Sequence, residues 1–493
     1  MSLGETLPGP GARPARVLWV TFDFPPRLSS GVFRPIKIYK YVDKRRLSID
    51  FVTHGRAARF ENSVVDESLL TELDPPTRVV RVATPVLHDI LLAMAARLKR
   101  LVRGLRHDRT AATSAEISGV TAVEPSTAAP SKKADKRGTF SGIYRWVAMS
   151  LYFPDHLFLW GYLATVTALW MHVRHSYDVI YTTSYPESAH LPGVLLHMFG
   201  VPWVADYRYG GPLWVKKLVG FDKPDRRQRL DLWFQRMVMH RADRVITQSE
   251  PMRADFSRIF GLDPSKIDVI PSGYDDEDFT RAGKGHEHAP FVHDDVSVHM
   301  LHVGVMEGTT TRDRLALARA LGAVDDELRA AGRRLVLHAV GKHIFDDAMR
   351  QTVRFEYVHH GTIVHCELPP YLLSADCYLL STFTTTTGHD GVRGFIPGKL
   401  WEYLRAGKPI VMVGPKDASW SIIEEAGVGL HMDIEQAPPL PAGALQQAIT
   451  VPRPLHWKVP SYSWQARALS LQRVFLQVTG AAPGAPHKGQ AHA

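Results

Sequence analysis

The sequence predicts an α/β protein with two doubly wound domains facing a central cleft. Three observations carry that prediction. Short runs rich in β-branched and aromatic residues alternate with helical patterns from Arg16 to Phe279, and again from His299 to Asp433. That alternation is the mark of parallel sheets with crossover helices. Between the two arrays, residues 281–295 are rich in Gly, His and Asp and read as a linker. At 493 residues, the chain is also too long for one ordinary core. The expected parts are a first domain at 14–280, a second at 296–455, a closing helix at 456–479 and a disordered tail at 480–493.

Composition narrows the function classes. With 45% apolar and 22% charged residues the chain reads as a folded soluble protein. Its two cysteines, Cys366 and Cys377, cannot build a disulfide framework, so a reducing cytoplasm is expected. The opening MSLGETLPGPGARPAR lacks the apolar core of a secretory leader. A net charge of +9 suits an anionic partner: a nucleotide, a lipid head group or nucleic acid. The sequence has no Walker loop, no zinc-ligand spacing and no nucleic-acid module, so nucleic acid is not expected as a partner, nor a metal at the site.

In the first domain, RVLWVT (Arg16 to Thr21) is a buried strand, followed by the loop FDFPPRLSSG and a helix from about Val32. Arg27 and Arg34 beside that loop are candidate phosphate ligands or solvated arginines. IDFVTH ends on His54 at a strand's carboxyl end, where sites form in α/β sheets. Residues 90–106 place apolar side chains at 91, 94, 98, 101 and 105 among five basic residues. A basic amphipathic helix at a membrane surface and a domain helix with a solvated basic face give the same periodicity, and both readings stand. Residues 107–139 are Ala, Ser, Thr, Pro and Lys with almost no large apolar residue, and predict a disordered insertion. The uncharged run Leu157 to Met171 is too short to span a membrane and predicts a buried helix, with Trp160 and Trp170 packing or lying at a membrane boundary. His190 falls inside a predicted helix and reads as a core or surface histidine. Asp206 and Arg208 close the strand PWVADYR at its carboxyl end, pointing to the crevice; a helix cap paired with an arginine is the simpler alternative. Ser249 is the expected N-cap of the helix after ADRVITQ.

In the second domain, the stretch Gly391 to Gly414, GVRGFIPGKLWEYLRAGKPIVMVG, is a glycine-spaced loop, a helix entered through Pro397 and stopped at Gly407, and a strand. A loop of free amides before a helix N-terminus is a natural anion site. Lys399 and Glu402, three apart, share one helix face: a cation for a phosphate and a carboxylate for sugar hydroxyls.

That stretch resembles the donor-binding signature of the retaining glycosyltransferases of family four, in the branch reading PGKLFEY-AAG-P. DVIYTTSYPESAHL with PWVADYRYG, and ADRVITQSE with KIDVIPSGYD, resemble further motifs of the branch. The resemblance covers most of the chain except the insertion and the tail, and implies the GT-B fold of two Rossmann-like domains. It implies metal-independent transfer of a sugar from a UDP-, GDP-, ADP- or TDP-linked donor, without a further cofactor. The acceptor is a sugar, a lipid-linked molecule or a small natural product. Lipid-linked acceptors are common in the family, which favours peripheral membrane contact through residues 90–106.

By resemblance, the donor-binding residues are Gly31, Gly304, Arg312, Ile363, Val364, Gly394, Ile396, Pro397, Gly398, Lys399, Leu400 and Glu402; the catalytic pair is Asp206 and Arg208. Three departures stand out. The family's first glutamate falls on Gly394, eight positions before Glu402. Val305 stands where relatives carry an arginine for the diphosphate, with Arg312 as substitute, and the glycine cluster of the first loop is reduced to Gly31. These departures leave two alternatives open: a GT-B enzyme coupling a non-sugar cyclitol, or a catalytically lapsed GT-B scaffold.

Overall fold

The computed structural model describes residues 13–27, 29–55, 65–75, 77–84, 153–155, 157–208, 226–285, 290–306, 310–382, 394–451 and 458–480. The basic helix expected at 90–106, the insertion at 107–139, residues 391–393 and the tail after Gly480 lie outside them.

The first sheet has seven strands: β1 (Ala15–Thr21), β2 (Leu47–His54), β3 (Val79–Val82), β4 (Val179–Ser184), β5 (Trp203–Tyr207), β6 (Arg244–Thr247) and β7 (Ile267–Val269), in the order β3-β2-β1-β4-β5-β6-β7. Every pairing is parallel. A parallel sheet covered on both faces needs continuous apolar strands, which is why Val17, Leu18, Trp19 and Val20 of β1 are all fully buried. Helices α1 (Phe33–Tyr41), α2 (Phe158–His175), α3 (Leu191–Met198), α4 (Arg226–Arg241) and α5 (Glu250–Phe260) connect the strands. One core joins α2, α3, α4 and α5 to one face of the sheet, and another sits on the opposite face with α1.

After α6 (Asp276–Gly285) the second sheet begins: β8 (Ser297–Gly304), β9 (Arg334–Gly341), β10 (Glu356–Gly361), β11 (Cys377–Ser381), β12 (Ile410–Val413) and β13 (Gly429–Met432), in the order β10-β9-β8-β11-β12-β13 and again parallel. Its helices are α7 (Thr311–Ala330), α8 (Asp347–Arg350), α9 (Leu368–Ser374), α10 (Lys399–Ala406), α11 (Ala418–Glu425) and α12 (Ala444–Thr450). A capping box of Thr310 and Asp313 opens α7. Helix α10 begins at Lys399 behind a Gly398 cap, two residues later than the Pro397 start read from the sequence, and ends at Gly407 with φ 73°.

The final helix, α13 (Trp464–Val478), leaves the second domain and packs on α1, burying Trp464, Leu471 and Phe475 in the first domain's core. The expected return of the closing helix is therefore observed, and it ties the two halves together.

Candidate functional site

Between the sheets lies a cavity of about 490 Å³, within the range of small-molecule sites. Its lining comes from both domains, at the carboxyl ends of the strands. The first domain supplies Ser29, Ser30, Phe33, Arg208 and Gln248; α13 supplies Trp464. The second supplies Gly304, Gly341, Lys342, Ile363, Val364, His365, Ile396, Pro397, Gly398, Lys399 and Glu402. Gly304 and Gly341 end neighbouring strands with φ of 85° and 107°, and a Cβ on Gly341 would meet the Gly304 carbonyl at 2.9 Å. Two strand ends reach the cavity this closely only without side chains.

Lys399 projects back from the first turn of α10, and its Nζ donates to the Val305 carbonyl at 3.1 Å. The ammonium therefore lies beside Val305, the residue at which the resemblance expects the diphosphate arginine. Arg208, mostly buried, reaches the cavity from the opposite domain, and one of its Nη atoms donates to the Ser30 carbonyl at 3.2 Å.

Glu402 lies 3.8 Å from Nδ1 of His365, whose Nε2 is 3.1 Å from an oxygen of Asp278. Burial pushes the His365 pKa down, but the hydrogen bond to Asp278 and the charges of Glu402 and Asp278 outweigh it and raise the value above 6.5. Burial raises Glu402, opposed by His365. Asp278 in turn holds Lys37, which also contacts Asp275 at 2.6 Å and Glu72 at 3.0 Å. The carboxylates of Glu72, Asp275 and Asp278 converge closely enough for a metal. The Lys37 ammonium sits among them, so their negative charge already has a cation. This chain of charges makes His365 an interdomain strut: its backbone N–H donates to Asp66, and Phe33 packs on its ring at 4.4 Å.

Several residues singled out in the sequence sit elsewhere. Asp206 is fully buried beneath the cavity rather than at its wall. Its carboxylate accepts from Arg34 Nε at 2.7 Å and from the Tyr181 hydroxyl at 2.7 Å. Arg34, a candidate phosphate ligand, gives Nη2 to the other Asp206 oxygen and Nη1 to the Ile270 and Pro271 carbonyls. Arg27 pairs with Asp23, and His54 bonds to Thr84. Arg312 is exposed in the first turn of α7, outside the cavity lining, and Leu400 is a core residue on the inner face of α10. Gly31 lies beneath the lining: a Cβ there would strike the Asp23 carboxylate at 2.1 Å. His190 is a buried core histidine bonded to Thr182, with burial holding its pKa down at about 3.

Gly394 has a steric explanation. A Cβ at this position would lie 2.7 Å from Met252 Cγ and 2.9 Å from Ser249 Oγ. The Ser249 hydroxyl, besides capping α5, donates across the cleft to the Gly394 carbonyl at 2.8 Å. The glutamate expected here by resemblance has no room, and the space it would need is an interdomain contact.

The sequence reading passed over His365, Lys342, Asp278, Phe33 and Trp464. His365 directly follows Val364 in GTIVH, and Lys342 follows a strand-end glycine, so position alone marked those two. Trp464 and Phe33 carry no such mark.

Residues 94–273 match a family model described as the glycosyl transferase 4-like domain. No curated protein matches the chain in sequence. In structure the chain is similar to a glycosyltransferase from Rickettsia africae ESF-5 (11% identity, 95% of this chain and 99% of that one, TM-score 0.51). It is also similar to the N-terminal domain of Candida albicans trehalose-6-phosphate phosphatase (12%, 96% and 99%, TM-score 0.53). A third match is the UDP-GlcNAc 2-epimerase from Methanocaldococcus jannaschii (9%, 93% and 99%, TM-score 0.51). At such identities the likeness is one of fold. The chain thus has the GT-B fold, and its residues 94–273 match the glycosyl transferase 4-like domain.

Proposed function

We propose that this protein transfers a sugar from a nucleoside diphosphate donor to an acceptor, with retention at the anomeric carbon. The observation that carries the reading is the cavity itself. It joins a cation at a helix N-terminus, Lys399, to a carboxylate one turn on, Glu402, and to an apolar turn, Ile363–Val364. In this reading the base packs at Ile363 and Val364, and Glu402 accepts hydrogen bonds from the ribose. Lys399 and Lys342 face the diphosphate. Departure of the nucleoside diphosphate builds negative charge on a phosphate oxygen, which Lys399 and the amides opening α10 stabilise. Arg208 closes the reacting end from the first domain. Asp206 acts as a positioning residue: paired with Arg34, it fixes the end of β5 and so the place of Arg208.

Retention, the absence of a metal requirement, and a place in glycan, glycolipid or natural-product glycoside synthesis follow from the motif resemblance and belong to this proposal. So do a cytoplasmic location and membrane contact through residues 90–106. A second reading, a cyclitol-coupling or catalytically lapsed GT-B protein, is favoured by Val305 and by Arg312 lying outside the cavity. The three cations that do line the cavity weigh against the lapsed form.

Calorimetric titration with UDP, GDP, ADP and TDP, without metal, tests the reading. One nucleotide should bind, and Glu402→Ala should weaken it about ten- to a hundredfold, the loss of charge-assisted hydrogen bonds worth about 1.5–3 kcal/mol. Binding of none of the four would refute it.

A further inference from the structure

The layer formed by α2, α3 and α4 has an unusual outer side. Its inner side is ordinary core, with Trp160, Ala164, Leu196, Phe234 and Val238 buried together. On the outer side, α2 exposes Tyr162, Val166 and Trp170 four residues apart, at 48%, 67% and 49%. The end of α3, packed along α2, exposes Met198 at 69% and the following Phe199 at 66%. Trp233 of α4 is 56% exposed. The helix expected to be buried is therefore buried on one side only.

Charge on this layer is mainly positive. Among the described residues, α2 and α3 contain no acidic residue, and α4 contains only Asp231, half-buried. Arg174 is exposed beside Trp170, its guanidinium 5.2 Å from the ring. Arg229, Arg236 and Arg241 are exposed along α4, the first two flanking Trp233 one turn away on either side. Tryptophan and tyrosine interleaved with arginine, on helices lying flat, suit the boundary between acyl chains and head groups. No helix among the described residues is long and apolar enough to cross a membrane, so contact on this face is lateral.

We propose that the outer face of α2, α3 and α4 docks on an anionic lipid bilayer. The aromatic and aliphatic side chains enter the interfacial region, and the arginines pair with head-group phosphates. Exposed arginines outnumber the one half-buried carboxylate of these helices and favour an anionic surface, and the exposed aromatic and aliphatic side chains suit its interfacial region. None of these side chains lines the cavity, so the inference does not depend on the transfer reaction.

The test is co-sedimentation of the full chain with phosphatidylcholine vesicles and with mixed phosphatidylcholine–phosphatidylglycerol vesicles. The expected result is binding to the mixed vesicles that is much weaker on phosphatidylcholine alone. Arg229→Gln with Arg236→Gln should weaken it about thirtyfold, roughly fivefold for each arginine. Trp170→Ala with Trp233→Ala should weaken it at least tenfold or so. Both double variants should keep the parent's thermal midpoint and nucleotide titration, because the altered side chains point away from core and cavity. A variant with residues 97, 99, 100, 103 and 106 changed to glutamine separates this face from the basic segment. Absence of binding to mixed vesicles would overturn the proposal. So would binding lost only in the five-residue variant, or a dimer in sedimentation that Trp170→Ala dissolves, which would assign the face to a second copy.

Discussion

The contact at Gly394 allows a prediction with a magnitude. In Gly394→Ala, the added methyl meets Met252 Cγ at 2.7 Å, Ser249 Oγ at 2.9 Å and the Met252 amide nitrogen at 3.2 Å. The backbone at Gly394 is not in the left-handed region, so the cost is steric rather than conformational. Met252 is buried and cannot swing freely, and Ser249 is held by its bond to Gly394 and its cap on α5. Overpacking of this kind costs about 1–3 kcal/mol, and loss of the Ser249 hydrogen bond about 1 kcal/mol more. The strain falls on an interdomain contact, so the domains should part before either unfolds. Thermal unfolding should begin several degrees earlier, and affinity for the donor nucleotide should drop. Ser249→Ala removes one of the two clashes, so the double variant should lose less stability than the two single changes together. A Gly394→Ala protein with unchanged melting and unchanged nucleotide affinity would refute the reasoning, and strict additivity of the pair would refute its steric part.

Three further outcomes are expected. Because the folded-state pKa of His365 is raised, its ion pairs stabilise the protein fully below about 6.5, and that stability is lost as pH rises through the folded value. Denaturant unfolding should accordingly show His365→Gln destabilised at pH 6 or so and nearly equal to the parent in mildly alkaline buffer. Glu187 acts in the same direction over pH: burial, then Asp155, raises its carboxyl to about 8. Between its ordinary 4.5 and about 8 the unfolded chain has lost a proton that the folded one keeps, so stability falls with rising pH. Glu187→Gln should flatten that part of the stability profile. Removing one partner of the buried Arg34–Asp206 pair, as in Arg34→Ala, leaves a buried charge uncompensated and should cost about 3–5 kcal/mol, read by chemical denaturation.

Much of the fold was legible because parallel strands covered on both faces must be continuous apolar runs, and this chain has them. The helix signals were equally local: the Thr310–Asp313 box, the Ser249 cap and the Gly407 stop each use residues within one turn. The candidate site was legible where it is carried by one short stretch. Lys399 and Glu402 share a helix turn, and Ile363 and Val364 share a loop, so their common destination follows from local geometry. It was not legible where burial decides. Asp206 and Arg208 are two residues apart at the end of the same strand, yet one is sealed by Arg34 and Tyr181 from distant elements while the other reaches the cavity. Period-two alternation sends side chains i and i+2 to the same face, but only the neighbouring α1 and β4 determine which of them is covered.

What the sequence by itself determined, then, is the kind of protein: two parallel α/β units, a helix N-terminus suited to phosphate, and an excess of positive charge. Those properties reside in hydrophobic period, cap residues and composition, all of which act over a turn or a strand. What only the tertiary structure decided is which charges meet. His365 joins Glu402 to Asp278 and Lys37 across the cleft, and Lys399 places its ammonium beside the Val305 carbonyl. The glutamate position filled by Gly394 is closed by Ser249 and Met252, far away in the chain. Such contacts depend on how the second domain is seated on the first, and no local pattern encodes a distance between residues that meet only once both cores have formed.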